Sequence, residues 1–236
     1  MTNTRKAETL APYVLLGLTA VTGILDAVSF LALGRVFTAN MTGNVAILAF
    51  AAARVPGLSV GRSLTALTAF LSGAAFGGWV ISKADESSLL RFASRLFAVE
   101  IAFLSIAAGC AIGYGGKQDG TSLRTITLVA LTAIAMGIRN AAVRKLAIPD
   151  LTTTVLTLTV TAIAADSSFA GGSNPRLGRR VGSVVSMFVG AGVGAILIRY
   201  SVAGALALAA ALSILCTVAL LWSLRDGSPE TNTPGR

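Results

Sequence analysis

Hydrophobic residues fill six long runs of the chain, and polar residues collect between them. A helix needs about 20 apolar residues to cross a membrane core, and each run approaches or exceeds that length. Strict alternation of polar and apolar residues, as in membrane β-barrels, is absent. The pattern therefore predicts an all-α, polytopic helical membrane protein. The predicted spans are residues 11–33, 63–82, 96–116, 125–143, 181–198 and 201–224.

The composition agrees with a membrane protein and argues against several other classes. Of the residues, 54% are hydrophobic and 12% are charged, and the mean hydropathy is +0.78. Soluble domains carry about 25% charged residues. The net charge of +9 does not indicate a nucleic-acid partner, because Lys and Arg lie at the ends of the runs, as the positive-inside rule describes. The expected partner is the lipid bilayer.

The residues available for chemistry are few. The chain contains no histidine, which removes histidine metal ligands and histidine acid–base catalysis. We expect no metal and no cofactor. The two cysteines, Cys110 and Cys216, each lie within a hydrophobic run and are expected to be small packing residues. Paired acids and a cysteine with a neighbouring base are also absent, so the chain is not expected to be an enzyme.

The second half of the chain repeats the first. The segment GILDA at residues 23–27 recurs as GIRNA at 137–141, and GRSLTALTAFLSGAAFGGWVI from Gly61 recurs as GRRVGSVVSMFVGAGVGAILI from Gly178. Between these anchors, FTANMTGNVAILA faces TTTVLTLTVTAIA. Three anchors in one register predict a duplication, although the abundance of Gly and Ala in membrane helices is a competing explanation. The predicted units are a cytoplasmic tail, two transmembrane repeats and a second cytoplasmic tail, at residues 1–10, 11–116, 117–224 and 225–236.

Each half also contains a short apolar segment with a polar head, at residues 42–53 and 154–165. A helix of that length extends about 18 Å, which is less than the roughly 30 Å of the hydrocarbon core. The segments are therefore predicted to be half-depth helices that turn back. Each half then has three long crossing helices, and an odd number of crossings makes the halves inverted repeats, a common transporter plan.

This arrangement predicts six crossings, with both termini on the cytoplasmic side of the membrane. The distribution of Lys and Arg over the loops favours six crossings only slightly over eight. Eight crossings with parallel halves therefore stay open as an alternative.

Two helix faces carry pairs of small residues, Gly73 with Gly77 and Gly190 with Gly194. Such faces let membrane helices approach closely. Each face could pack inside the monomer or form a homodimer. Packing inside the monomer is favoured, because both halves have such a face.

Several motifs resemble the YoaK family of bacterial inner-membrane proteins. They are G-x-x-D-A-x-S-F from Gly23, F-x-x-N-M-T-G-N from Phe37, G-x-x-N-A from Gly137 and the T-T-x-x-T run from Thr153. The resemblance covers nearly the whole chain, and M-T-G-N is its most specific element. It implies a small multi-spanning protein of a family whose function is unassigned. The family often has Gln where this chain has Arg139, and the resemblance transfers no functional residues.

Charged residues within the hydrophobic runs are candidates for function, because charge inside a bilayer is costly. Asp26 could couple a proton or a cation, or it could be the structural partner of Arg139. The repeat matches Leu25 and Asp26 with Arg139 and Asn140, so Asp26 and Arg139 would meet near a pseudo-symmetry axis. Arg139 could instead extend to the membrane surface or clamp an anion. Glu100 is predicted to be an interfacial acid.

The polar heads of the two short segments predict a substrate site. A helix N-terminus presents free N–H groups and about half a positive charge. Two such ends that point inward from opposite faces would form a site for a small polar or anionic solute. The alternative is that the Thr hydroxyls only cap their own helices. The predicted site residues are Asn40, Thr42, Gly43 and Asn44 in the first half and Thr153, Thr154 and Thr157 in the second.

These features favour a secondary transporter or channel-like carrier. The chain has no phosphate-binding loop for ATP, so an ion gradient would supply the energy, through Asp26. The alternative is a membrane protein that does not transport, such as a scaffold, an assembly factor or a sensor subunit.

Overall fold

The computed structural model describes residues 3–85, 88–115, 122–146 and 156–225. These residues form eight α-helices and one short 3₁₀ turn at Ser168–Ala170, which confirms the all-α prediction. The helices are α1 (Asn3–Leu31), α2 (Met41–Ala52), α3 (Val60–Ile81), α4 (Leu89–Cys110), α5 (Leu123–Leu146), α6 (Leu156–Ala165), α7 (Leu177–Ile198) and α8 (Val202–Arg225).

Six of the described helices are long and apolar enough to cross a membrane, and α2 and α6 are shorter. The short helices fall on the two segments that the sequence predicts to be half-depth. The outward faces of α3 and α7 carry large apolar side chains, such as Leu71, Trp79 and Phe188. Such a surface suits lipid contact, because lipid tails accept apolar groups that water would exclude.

The spans α1 and α5 are the most deeply buried. Helix α1 packs against α7 and α8, α5 packs against α3 and α4, and α4 contacts α8. The short helices lie at the outside of this arrangement, α2 on α3 and α6 on α7. The contacts of α1 thus have counterparts in the contacts of α5. This pairing is the one that two repeats would give, and the inverted orientation of the halves stays a prediction.

Helix α2 begins beside α1 and runs back to the side on which α1 ends. Its start is tied to Asp26, in the last two turns of α1, through the backbone of Ala39. Beyond its end, Gly57 approaches the side chain of Arg35, in the turn that follows α1. Helix α3 then begins at that same side. The first half of the chain therefore has three helices long enough to cross a membrane, and the short α2 lies between the first two of them.

Glycines allow α1 and α7 to touch along their backbones. A Cβ at Gly23 would lie 2.7 Å from the nitrogen of Ala191, and a Cβ at Gly190 would lie 2.8 Å from the Cα of Ala20. A Cβ at Gly194 would lie 3.0 Å from the Cα of Ile24. Any side chain at these positions would force the two helices apart, because the neighbouring atoms belong to backbone.

The pair formed by α3 and α5 has the same construction. A Cβ at Gly73 would lie 3.0 Å from the Cα of Ile134, and one at Gly137 would lie 2.8 Å from the nitrogen of Ala74. A Cβ at Gly77 would meet Ala141. Both glycine faces are thus covered inside the monomer, the use that the sequence favours. A homodimer that used them would have to open these helix pairs.

A buried ion pair joins four helices at the centre of the molecule. Arg139 of α5 is fully buried, and its Nε lies 2.9 Å from Oε1 of Glu100 on α4, which Nη2 also contacts. Nη2 donates to Ser213 of α8 at 2.7 Å, and Nη1 donates to the carbonyl of Leu18 on α1 at 3.2 Å. The Ser213 hydroxyl lies 3.3 Å from Glu100. The guanidinium therefore bridges the two halves of the chain.

This cluster corrects three expectations about charge. The partner of Arg139 is Glu100, so the pairing of Asp26 with Arg139 is wrong. Arg139 does not extend to the membrane surface, because its side chain is fully buried. Glu100 is not interfacial either, because only 1% of it is exposed and it lies in the middle of α4. Removing two charges from water is costly, and the added hydrogen bonds compensate that cost.

Alanine at Gly190 or Gly73 is expected to destabilise the protein, because the new Cβ overlaps the backbone of the facing helix. Overpacking of this kind costs about 1–3 kcal/mol. Thermal unfolding in one detergent would measure the loss. Gly192→Ala is the matched control on α7, since nothing lies within 4 Å of its Cβ position. Equal melting temperatures for Gly190→Ala and Gly192→Ala would contradict the close contact.

Replacing one partner of the Arg139–Glu100 pair is expected to destabilise the protein more than its share of replacing both partners together. Arg139→Gln or Glu100→Gln alone leaves one buried charge without its partner, which costs about 3–5 kcal/mol. The double variant removes both charges and should lose less stability than the sum of the two single variants. A double-mutant cycle on unfolding free energies tests this. Strictly additive losses would show that the two charges do not interact.

Candidate functional site

Asp26 lies in the membrane-spanning part of α1 and is 5% exposed. Its carboxylate faces the backbone N–H groups of Thr38, Ala39 and Asn40, and the nitrogen of Ala39 lies 3.3 Å from Oδ1. These residues form the turn just before α2. Among the described residues, the ion pairs do not include Asp26. Backbone N–H donors therefore compensate the charge of Asp26, a role for which the sequence analysis also considered Arg139.

Asn44 and Gly43 hold this turn in place. The N–H of Phe37 donates to Oδ1 of Asn44 at 2.8 Å, and Nδ2 of Asn44 donates back to the carbonyl of Phe37. The Phe37 ring stacks on Phe30 of α1, with 5.1 Å between the centroids. A Cβ at Gly43 would lie 2.9 Å from that ring, so only glycine fits below it. Asn44 is fully buried and belongs to the support of the site.

A cavity of about 80 Å³ lies in front of Asp26, where the two short helices begin. Asn40, the residue before α2, lines it from the first half, and Leu156 and Thr157, at the start of α6, line it from the second. The structure thus brings together elements from both halves around one carboxylate. The remaining lining residues are Thr22, Ala39 and Met187.

The predicted site residues divide into three groups. Asn40 and Thr157 line the cavity together with Asp26. Among the described residues, the lining of the cavity does not include Thr42, Gly43 or Asn44. Thr42 is exposed, and Gly43 and Asn44 support the turn. The predicted residues that lie outside the described part of the chain are Thr153 and Thr154.

The sequence prediction missed Thr22 and Met187. Thr22 lies one helical turn before Asp26, so the two share a face of α1, and this spacing could have identified it. Its hydroxyl donates to the carbonyl of Leu18 at 3.1 Å. Met187 lies three residues before Gly190 on α7. Its place follows from the contact between α1 and α7, which the sequence does not specify.

Asn140, the repeat counterpart of Asp26, lies elsewhere. Its Nδ2 donates to the carbonyl of Met136 at 2.8 Å. It borders a wider groove of about 670 Å³ between α3 and α5, together with Phe70, Arg144 and Lys145. Asp26 and Asn140, which match in the sequence repeat, therefore border different cavities.

The chemistry of the cavity is that of a weakly polar site with one acid. A carboxylate, an amide and a hydroxyl converge there, from Asp26, Asn40 and Thr157. The carboxylate already takes the position that an anion would occupy at the start of α2. The site can therefore accept hydrogen bonds, hold a cation or exchange a proton. The described residues contain no cluster of three or more potential metal ligands.

Comparisons with known proteins agree with this architecture. UPF0700 transmembrane protein YoaK of Bacillus subtilis (strain 168) is 35% identical over 128 residues, which are 54% of this chain and 53% of that protein. The match thus spans about half of the curated relative. No solved structure matches the chain significantly. A family model described as "Protein of unknown function (DUF1275)" matches residues 14–219. The resemblance to the YoaK family is thereby confirmed, and the chain belongs to the family of proteins of unknown function DUF1275.

Proposed function

We propose that this protein is a secondary transporter or channel-like carrier for a small polar solute. The observation that carries the proposal is the cavity in front of Asp26, at which both short helices begin. Broken or short helices that meet at a site between two repeats are a recurring transporter plan. Irregular backbone at membrane depth is tolerated where it is buried in protein or lines a wet cavity, and Ala39 and Asn40 of the turn before α2 border this cavity.

The size and charge of the cavity define the class of solute. A volume of about 80 Å³ can hold several water molecules and is far below the roughly 300–1,000 Å³ of drug-sized sites. A solute of a few non-hydrogen atoms fits. The carboxylate of Asp26 favours a cation or a hydrogen-bond donor over the anion that the sequence also allowed, since like charges repel.

Asp26 is suited to couple transport to an ion. Among the residues that the structure describes, Asp26 provides the carboxylate that borders this cavity. The carboxylate of Glu100 is instead paired with Arg139. The N–H groups of Thr38, Ala39 and Asn40 stabilise its charge when no cation is bound. Protonation or cation binding at Asp26 would weaken these contacts and loosen the turn before α2. Movement of that turn would then change access to the cavity.

Asp26→Asn is expected to reduce transport at least about tenfold, because the amide keeps the size of the side chain and loses its charge. A loss of that size corresponds to about 1.4 kcal/mol. Proteoliposomes that contain a pH-sensitive dye would be challenged with gradients of sodium, potassium, methylammonium and urea. Asp85→Asn is the matched control, since Asp85 is an exposed carboxylate outside the spans. Flux in the Asp26→Asn variant equal to that of the wild type would rule out coupling through Asp26.

Asn40→Cys and Thr157→Cys are expected to react with a membrane-impermeant thiol reagent. Both positions border the same cavity, which the carrier proposal requires to be hydrated. Cys110 and Cys216 would first be replaced by alanine. Leu71→Cys is the lipid-facing control and should stay unmodified, whereas Lys83→Cys, at an exposed turn, should react.

Applying the reagent from each side separately shows which face opens to the cavity. If neither cysteine reacts while Lys83→Cys does, the cavity is dry. That result would favour the alternative of a scaffold or sensor subunit.

A further inference from the structure

Arg62 is a buried cation that the carrier proposal does not use. It is the third residue of α3, and 7% of it is exposed. Its guanidinium lies against Gly34, where a Cβ would lie 2.6 Å from Cζ and 2.7 Å from Nε. Gly34 has a φ of 97°, so glycine is required there for its conformation as well. The Nε atom is buried and has no hydrogen-bond partner.

Within the part of the chain that the structure describes, no carboxylate is paired with this charge. The ion pairs among the described residues are Arg139–Glu100 and Arg180–Asp166, and Arg62 belongs to neither. The sequence contains no Asp or Glu between Asp26 and Asp85. The N-terminus of α3 adds its own partial positive charge at this point. A buried charge without a partner is costly, so this arrangement needs a reason.

The second half of the chain provides a contrast. Arg180, in the first turn of α7, lies 2.7 Å from Asp166 and also donates to the carbonyl of Ala162 at 3.0 Å. An arginine near the start of a comparable helix is therefore compensated from within the chain. Arg62 is more deeply buried than Arg180 and lacks such an acid.

The surroundings of Arg62 are basic and polar. The turn that contains Gly34 also carries Arg35, whose guanidinium approaches Gly57 in the turn before α3. Arg62 therefore packs against the turn after α1, and Arg35 packs against the turn before α3. The hydroxyl of Ser63, next to Arg62, is buried and also lacks a hydrogen-bond partner. The predicted topology places this end outside the cytoplasm, where uncompensated arginine is disfavoured.

We propose that Arg62 binds a phosphate group at this end of the first half. A guanidinium presents planar, parallel N–H donors that match the oxygens of a phosphate or carboxylate group. The N-terminus of α3 supplies a favourable potential for the same charge. The phosphate can come from free inorganic phosphate or from a lipid headgroup, and both sources offer the same oxygens. This site is separate from the Asp26 cavity and does not depend on transport.

The test is a binding titration of the full chain in phosphate-free buffer and a neutral detergent. Inorganic phosphate is the probe in one arm, and short-chain phosphatidylglycerol is the probe in the other. Arg62→Gln should weaken binding at least about tenfold, because the variant loses the charge-assisted hydrogen bonds of the guanidinium. Arg62→Lys keeps the charge but loses the planar donors, and it should show an intermediate loss. It also serves as the folded variant if Arg62→Gln does not fold.

Arg180→Gln is the matched control and should bind like the wild type, because Asp166 already compensates Arg180. Asp26→Asn should also bind normally, which separates this site from the carrier proposal. Loss of phosphate binding in the Arg62 variants supports a free anion as ligand, and loss of lipid binding alone supports a headgroup. The proposal is overturned if the wild type binds neither probe, or if Arg62→Gln and Arg62→Lys bind both as the wild type does.

Discussion

Backbone that leaves a helix inside a membrane must find hydrogen-bond partners within the protein, and the turn between α1 and α2 depends on this constraint. The carboxylate of Asp26 accepts from the backbone of Ala39, and the amide of Asn44 pairs with both backbone groups of Phe37. Gly43 leaves room for the Phe37 ring that covers the turn. The polar, glycine-broken patch in this apolar region thus supplies the contacts that the predicted start of α2 inside the membrane requires.

Two pairs of helices in the molecule pack with their backbones in close contact. Gly23, Gly190 and Gly194 bring α1 and α7 into backbone contact on one side of the molecule, and Gly73 and Gly137 do so for α3 and α5 on the other. Close contact of small residues replaces the hydrophobic effect, which does not drive helices together in lipid. The Arg139–Glu100 pair then fixes α4, α5 and α8 around a common centre. The contact between α1 and α7 supports the cavity directly, because both helices contribute residues to its lining.

The helices could be predicted because the length of each apolar run and the internal repetition can be read directly along the sequence. The segment at 42–53 corresponds to α2 at Met41–Ala52, and the segment at 154–165 contains α6 at Leu156–Ala165. The charge partners could not be predicted, because they depend on rotation about the helix axes. Adjacent helical residues point about 100° apart, so Arg139 faces α4 and α8 while Asn140 faces α3. Glu100 was misplaced because α4 begins at Leu89, seven residues before the apolar run suggests.

The distribution of charge separates structural groups from those that can exchange with a solute. Glu100 and Arg139 satisfy each other in a core that excludes water, so neither can take up an ion without breaking a contact that joins both halves. Asp26 is held by N–H groups alone and borders a cavity that α6 completes. A carboxylate with neutral donors on one side and space on the other can gain a proton or a cation at a lower cost than one in an ion pair. Among the charged side chains described within the spans, Asp26 therefore has the surroundings that a coupled carrier requires.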